Sequence, residues 1–124
     1  MKQRLKIPGL WLLSSSGAVK IDHEGIVYCH HSNNITKIVY TCGRVTEVTV
    51  PLKTIEDKLC KKSFYRCHRN YLINLSLVGN CIQHDYTLSL HKCGSVPVSR
   101  RRRKKLRLVL EKFISDSNQA DIEF

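Results

Sequence analysis

Between Leu10 and Val98 only one stretch keeps a helical apolar period; elsewhere, short runs rich in Val, Ile, Leu, Tyr and Thr are broken by turn residues. That rhythm excludes a helical bundle and points to many short strands. Leu10–Leu13 reads as a buried strand and Ser14–Gly17 as turn material. Val19 and Ile21 alternate with polar residues in a second strand, and Asp22–Gly25 turns the chain again. Ile26–Cys29 is a third strand, followed by a polar loop from His30 to Asn34. Ile35–Thr41 and Arg44–Val50 read as a hairpin joined at Cys42-Gly43. Pro51 ends that pairing, because it has no ladder N–H. Leu52, Ile55 and Leu59 then recur at helical spacing, which predicts a short helix to about Lys61. Phe64–Cys67 and Tyr71–Leu75 return to strand character, and Val78–Ile82 is a further short candidate. Tyr86, Leu88 and Leu90 alternate with polar residues, and Lys92-Cys93-Gly94 turns into Ser95–Val98. Ser99 is a suitable N-cap, and Leu106, Val109, Leu110 and Phe113 mark an amphipathic last helix. The expected fold is mainly β, one domain over 10–114, with a lead-in over 1–9 and an acidic, frayed tail over 115–124.

Charge narrows the function. The chain carries 21 Lys and Arg against 10 Asp and Glu, a formal net charge of +11. Such an excess favours a polyanionic partner. It is concentrated: from Arg100 to Arg107 every residue but Leu106 is basic, whereas the tail carries Asp116, Asp121 and Glu123. Cations in the first turn of a helix oppose its dipole, at about 0.3–1 kcal/mol each when exposed. Local stability therefore does not account for them, and a polyanion does. Helical geometry turns Arg100, Arg101, Lys104 and Arg107 away from the apolar stripe and leaves Arg102 and Arg103 on its flanks. A second cluster, His68-Arg69-Asn70, sits between two strands. Arg can bond guanine bidentately and Asn can do the same to adenine, and both also bond phosphates. The segment from His30 to Lys37, with Asn34, Thr36 and Lys37, is a third donor-rich stretch.

Other chemistry finds little support. Adjacent pairs such as Cys67-His68 lack the spacing of a structural zinc site, and neighbours in a strand point to opposite faces, so no metal and no cofactor is expected. The G-x-S-x-G, H-E-x-x-H and P-loop motifs are missing, and the acids are scattered, so an enzyme with a small-molecule substrate is not expected. The six cysteines are dispersed, which suits a reduced, cytoplasmic protein. The apolar stretch Leu10–Leu13 is too short for a signal peptide, and no run reaches membrane-span length. Cys67 and Cys93 each lie near a basic cluster, and their oxidation would pull those segments out of register if the two are close.

Two segments carry a resemblance to a known family: Phe64-Tyr65-Arg66-Cys67-His68-Arg69-Asn70-Tyr71-Leu72-Ile73-Asn74 and Val96-Pro97-Val98-Ser99-Arg100-Arg101. Gly25–Cys29 with Asn34, and Leu52–Leu59 before Phe64, support it. In order and spacing the chain resembles the LytTR family of bacterial DNA-binding domains over about Leu10 to Phe113. The resemblance implies short antiparallel strands in packed small sheets. It also implies transcription regulation by loops that enter successive major grooves of duplex DNA, often on paired direct repeats that hold a second copy. By position it carries over the residues from Asn34 to Lys37, from His68 to Asn70 and from Ser99 to Arg101, with Arg69 and Arg100 foremost. Three positions depart from the family's usual pattern: His30-His31 stand where Glu-Ala is common, Ile35 where an aromatic is common, and Asn70 where Ser is common. Many members carry a receiver domain before this one. A chain of 124 residues leaves no room for it, so, if the chain is complete, either a stand-alone regulator or a component controlled by a separate regulatory protein is expected.

Two other readings fit the charge. An RNA-binding module would use the same cations, although the stacking aromatics of single-strand readers are missing. A protein- or membrane-interaction module would use the basic helix that holds Lys104.

Overall fold

A computed structural model describes residues 9–14, 16–22, 25–78, 87–90 and 94–122. Among these residues nine strands and two α-helices follow in the order β1 (Gly9–Ser14), β2 (Gly17–Asp22), β3 (Ile26–Ser32), β4 (Ile35–Tyr40), β5 (Val45–Val48), α1 (Leu52–Lys58), β6 (Phe64–His68), β7 (Tyr71–Asn74), β8 (Thr87–Leu90), β9 (Gly94–Pro97) and α2 (Arg100–Ile122). A single turn of 3-10 helix, Leu75–Leu77, follows β7. The lead-in before Gly9, the strand reading beyond Val78, Tyr86 and the turn at Lys92-Cys93 lie outside the described residues.

The strands form three antiparallel units. β1 and β2 make one hairpin and β8 and β9 another, while the central sheet has the order β5-β4-β3-β7-β6. Alternation along the central strands gives the sheet two buried faces. Ile26, Cys29, Ile38, Tyr40, Val48 and Leu72 face a core shared with Leu12 and Ile21 of the first hairpin and with Leu52, Ile55 and Leu59 around α1. Their sequence neighbours Val27 and Ile73, with Cys67, face a second core shared with Leu88, Leu90, Val96, Val98, Leu106 and Leu110. The central sheet is thus sandwiched, and its β3 and β7 strands are apolar on both sides, as a doubly covered strand must be.

Several boundaries differ from the sequence reading, and four of them have a clear physical reason. His30 and His31 continue β3, so the polar loop shrinks to the turn Asn33-Asn34. Both turn residues have positive φ, +54° and +65°, which a two-residue hairpin turn requires and Asn tolerates. α1 ends at Lys58, where Leu59 turns extended yet still donates its N–H to Ile55 and Glu56. β7 stops at Asn74, because that side chain caps the 3-10 turn by accepting from Ser76 N–H. α2 continues to Ile122, since neither Gly nor Pro interrupts 100–122.

Candidate nucleic-acid interface

The hairpin turn at Asn33-Asn34 sets the register of everything beside it. Ser32 pairs with Ile35, and counting back places His30 opposite Lys37. Lys37 pairs on its other side with Glu47, His30 with Tyr71, and Tyr71 with His68. One cross-strand row, Glu47–Lys37–His30–Tyr71–His68, therefore crosses all five strands of the central sheet. Four strand spacings make it about 19 Å long. Its rings are in contact: His30 stacks on Tyr71 at 4.2 Å between centroids and 8° between planes, and His68 meets Tyr71 edge-on at 5.6 Å. Tyr71 also lies 6.2 Å from Tyr28, so the row is anchored to the second core.

The turn between β6 and β7 is held from several directions. Arg66 donates to the Arg69 carbonyl through Nη2 at 2.6 Å and Nε at 3.2 Å. The other arm of that guanidinium, Nη1, donates to Glu56 of α1 at 2.8 Å. His68 Nδ1 accepts from the Asn70 N–H at 3.1 Å, and the Asn70 carbonyl accepts from the His31 N–H at 3.0 Å. The turn cannot swing away without breaking these bonds, so Arg69 is presented on a fixed backbone.

β6 carries a register shift between Arg66 and His68. A bulge of this kind leaves a residue out of the ladder, and here α2 uses the freed edge. The Ser99 N–H donates to the Cys67 carbonyl at 3.0 Å, and Arg102 Nη1 donates to the Arg66 carbonyl at 2.8 Å. Cys67 Sγ donates a longer bond to the Pro97 carbonyl at 3.6 Å. The two segments singled out in the sequence, around Phe64–Asn74 and Val96–Arg101, are thereby stitched into one rim. Arg100, Arg101, Lys104 and Arg107 are exposed while Arg102 and Arg103 are half-buried, as the helical geometry predicts.

Most of the sequence-predicted residues gather on this rim. Asn34 and Lys37 are exposed at the β3–β4 end, Arg69 is exposed with His68 and Asn70 half-buried in the β6–β7 turn, and Ser99, Arg100 and Arg101 open α2. Lys104 lies one turn further along that helix. Thr36 is the correction. It is fully buried, its hydroxyl donates to the Val50 carbonyl at 2.8 Å, and His31 Nδ1 lies 2.8 Å from the same oxygen. It faces the first core because it alternates with Lys37, and it orders the strand end rather than meeting a partner. His30 and Tyr71 were not among the predicted residues. Closing the hairpin at Asn33-Asn34 would have placed His30 beside Lys37.

Burial and neighbouring cations set the titration of the rim histidines. Burial, then the charge of Lys37, holds His30 below the ordinary histidine range, and burial, then Arg69, does the same to His68. A phosphate nearby would oppose both shifts. Cys67, behind the rim, is pushed up to about 12 by burial, which keeps it a thiol; Cys93 lies outside the described residues. Among the described residues no helix is long and apolar enough to cross a membrane, and no group of three or more His, Cys, Asp or Glu side chains is placed to hold a metal ion.

Comparison with known proteins converges on one family. A LytTr domain from Bacillus cereus superposes with a TM-score of 0.69, covering 83% of this chain and 96% of that one; at 23% identity it speaks for the fold alone. The sensory transduction protein LytT of Oceanobacillus iheyensis is 31% identical over 91 residues, 69% of this chain. The match spans only 37% of that protein's length. Residues 16–111 match the LytTr DNA-binding domain family along the stretch that builds the sheet, the turns and the start of α2. This chain belongs to the LytTr DNA-binding domain family.

Proposed function

We propose that this domain reads specific sequences in duplex DNA to regulate transcription in a bacterial cytoplasm, and that the rim just described is its reading surface. The observation that carries the reading is the stitching of three polar segments to one edge by the Ser99–Cys67 and His31–Asn70 backbone bonds. Such an edge meets a duplex as one rigid template. Arg69 and Arg100, both exposed, take base edges in successive major grooves. Asn34, Asn70, Ser99 and Arg101 share base and phosphate contacts, and Lys37 and Lys104 neutralise phosphates. His30, His68 and Tyr71 form the floor between the groove-entering segments. A second copy on an adjacent direct repeat would extend the contact, and a separate regulatory protein would control occupancy.

Selection of bound duplexes from a randomised library at about 150 mM salt tests this, because non-specific attraction is already weakened there. An enriched motif repeated at helical-turn spacing is the expected result. Retention without any enriched motif would reject sequence reading. RNA that outcompetes duplex DNA, or liposomes that outbind it, would move the assignment to the corresponding partner.

A further inference from the structure

A second feature lies far from the rim. Lys61, Lys62 and Lys112 border an open groove of about 620 Å³ whose floor is formed by Leu75, Val109 and Phe113. Lys112 is twelve residues along α2 from Arg100, about 18 Å of helix rise. On the sheet, Lys61 and Lys62 precede β6, at the end opposite the β6–β7 turn. The proposed DNA-reading surface therefore does not account for this groove.

The groove's walls are fixed. The turn before β6 is closed by Ser63 N–H to the Cys60 carbonyl at 3.1 Å and by Phe64 N–H to the same oxygen at 3.0 Å. The Leu75 N–H donates to the Ser63 carbonyl at 2.7 Å, tying the floor to the wall. α2 supplies the other side, with Val109 and Phe113 packed as half-buried residues on the edge of the second core. Three lysines face one lining carboxylate, Asp116. Neither the Lys53–Asp57 nor the Arg66–Glu56 ion pair involves any of the three. An apolar floor with a cationic border selects a ligand that is apolar on one side and anionic on the other. A duplex offers phosphates but little apolar surface for such a floor. A protein segment can offer both, from one helix turn.

We propose that this groove docks an acidic amphipathic segment of a protein partner, which inserts bulky apolar side chains over Leu75, Val109 and Phe113 and pairs its carboxylates with Lys61, Lys62 and Lys112. Binding there leaves the rim open, so the partner and DNA are held together. The groove is where a regulator would grip the domain without blocking it.

Random peptides of about 16 residues, roughly four helical turns, displayed and selected on the full chain, test this. Counter-selection uses the Lys61→Glu/Lys62→Glu/Lys112→Glu variant, changed at exposed positions and checked for an intact fold by circular dichroism. The expected result is enriched peptides with Asp or Glu and large apolar residues at helical spacing. They should bind the triple variant at least about tenfold more weakly, bind Lys112→Gln with an intermediate loss, and stay bound when duplex DNA is added. No enrichment over the counter-selection, equal binding to the triple variant, or displacement by duplex DNA would each overturn the proposal. So would charge-reversal-sensitive binding to phosphatidylglycerol vesicles with no peptide enriched, which would assign the groove to a lipid surface. The peptide selection and the variant comparisons do not depend on the DNA reading being right; only the duplex-addition arm does.

Discussion

The Ser99 N–H and the Cys67 carbonyl, 32 residues apart in the chain, meet at 3.0 Å where β6 leaves its ladder. This contact places the cationic start of α2 against the β6–β7 turn and turns two separate basic segments into one surface. A change in either segment is therefore felt in the other.

Arg66 holds the same junction from the β6 side. Arg66→Ala removes the fork on the Arg69 carbonyl and leaves Glu56 unpaired. A loss of about 1.5–3 kcal/mol in stability is expected, from hydrogen bonds to a charged group. Specific DNA affinity is expected to fall further than non-specific affinity, because the turn is no longer fixed. Arg66→Lys keeps the charge but loses the fork, and should fall between. Denaturant melts, paired with binding to specific and random duplexes, check this; equal losses on both duplexes would argue against a positioning role.

Arg69→Ala and Arg100→Ala are each expected to cost about 1–3 kcal/mol on the selected site and much less on random DNA. Lys104→Ala should weaken both duplexes alike and lower the salt slope by about one. A salt titration of each variant separates the two behaviours.

Thr36→Val keeps the shape and removes the hydroxyl between His31 and Val50. The Val50 carbonyl loses its donor, at a cost of about 1–3 kcal/mol in stability. Since Thr36 is buried, the salt slope of DNA binding should not change. A changed slope would mean that this part of the sheet opens when DNA binds.

His30 and His68 give binding and stability opposite pH trends. Both are held neutral in the fold, below the usual value of about 6.5. Their contribution to stability is present above that value and is lost as pH falls through the folded pKa. DNA phosphates favour the imidazolium, so binding takes up protons and tightens as pH falls from neutrality. Melting temperature and DNA affinity measured across this window should move in opposite directions, and the His30→Gln/His68→Gln pair should flatten both.

Cys29 and Cys67 are pushed up to about 12 by burial. Cys60 is exposed, and the Lys62 backbone N–H holds its thiol below the ordinary range. Mass spectrometry of the native protein after limited alkylation should find Cys60 modified well before Cys29 or Cys67.

Local rules carried most of the architecture into the sequence reading. Turn residues and alternation located the strands, and the spacing of Leu106, Val109, Leu110 and Phe113 predicted how α2 would bury itself. The loop at His30-His31 was misread because polar residues can continue a strand when a cross-strand partner stacks on them, as Tyr71 does on His30. Thr36 was misassigned for a related reason: its hydroxyl suggested contact, but alternation with Lys37 turns it inward. The bulge at Cys67 has no local signature, since it depends on α2 arriving more than thirty residues later.

That late arrival has a consequence for synthesis. The Cys67 and Arg66 carbonyls wait for Ser99 and Arg102, which leave the ribosome more than thirty residues later. A nascent chain stopped at Val98 carries the sheet's sequence but lacks the groups that lock its rim, so on the proposed reading it is expected to bind DNA poorly. Rim assembly waits for the start of α2, and on the proposed reading a frameshift or proteolytic nick before Ser99 would yield a domain unable to compete for the sites of the intact one.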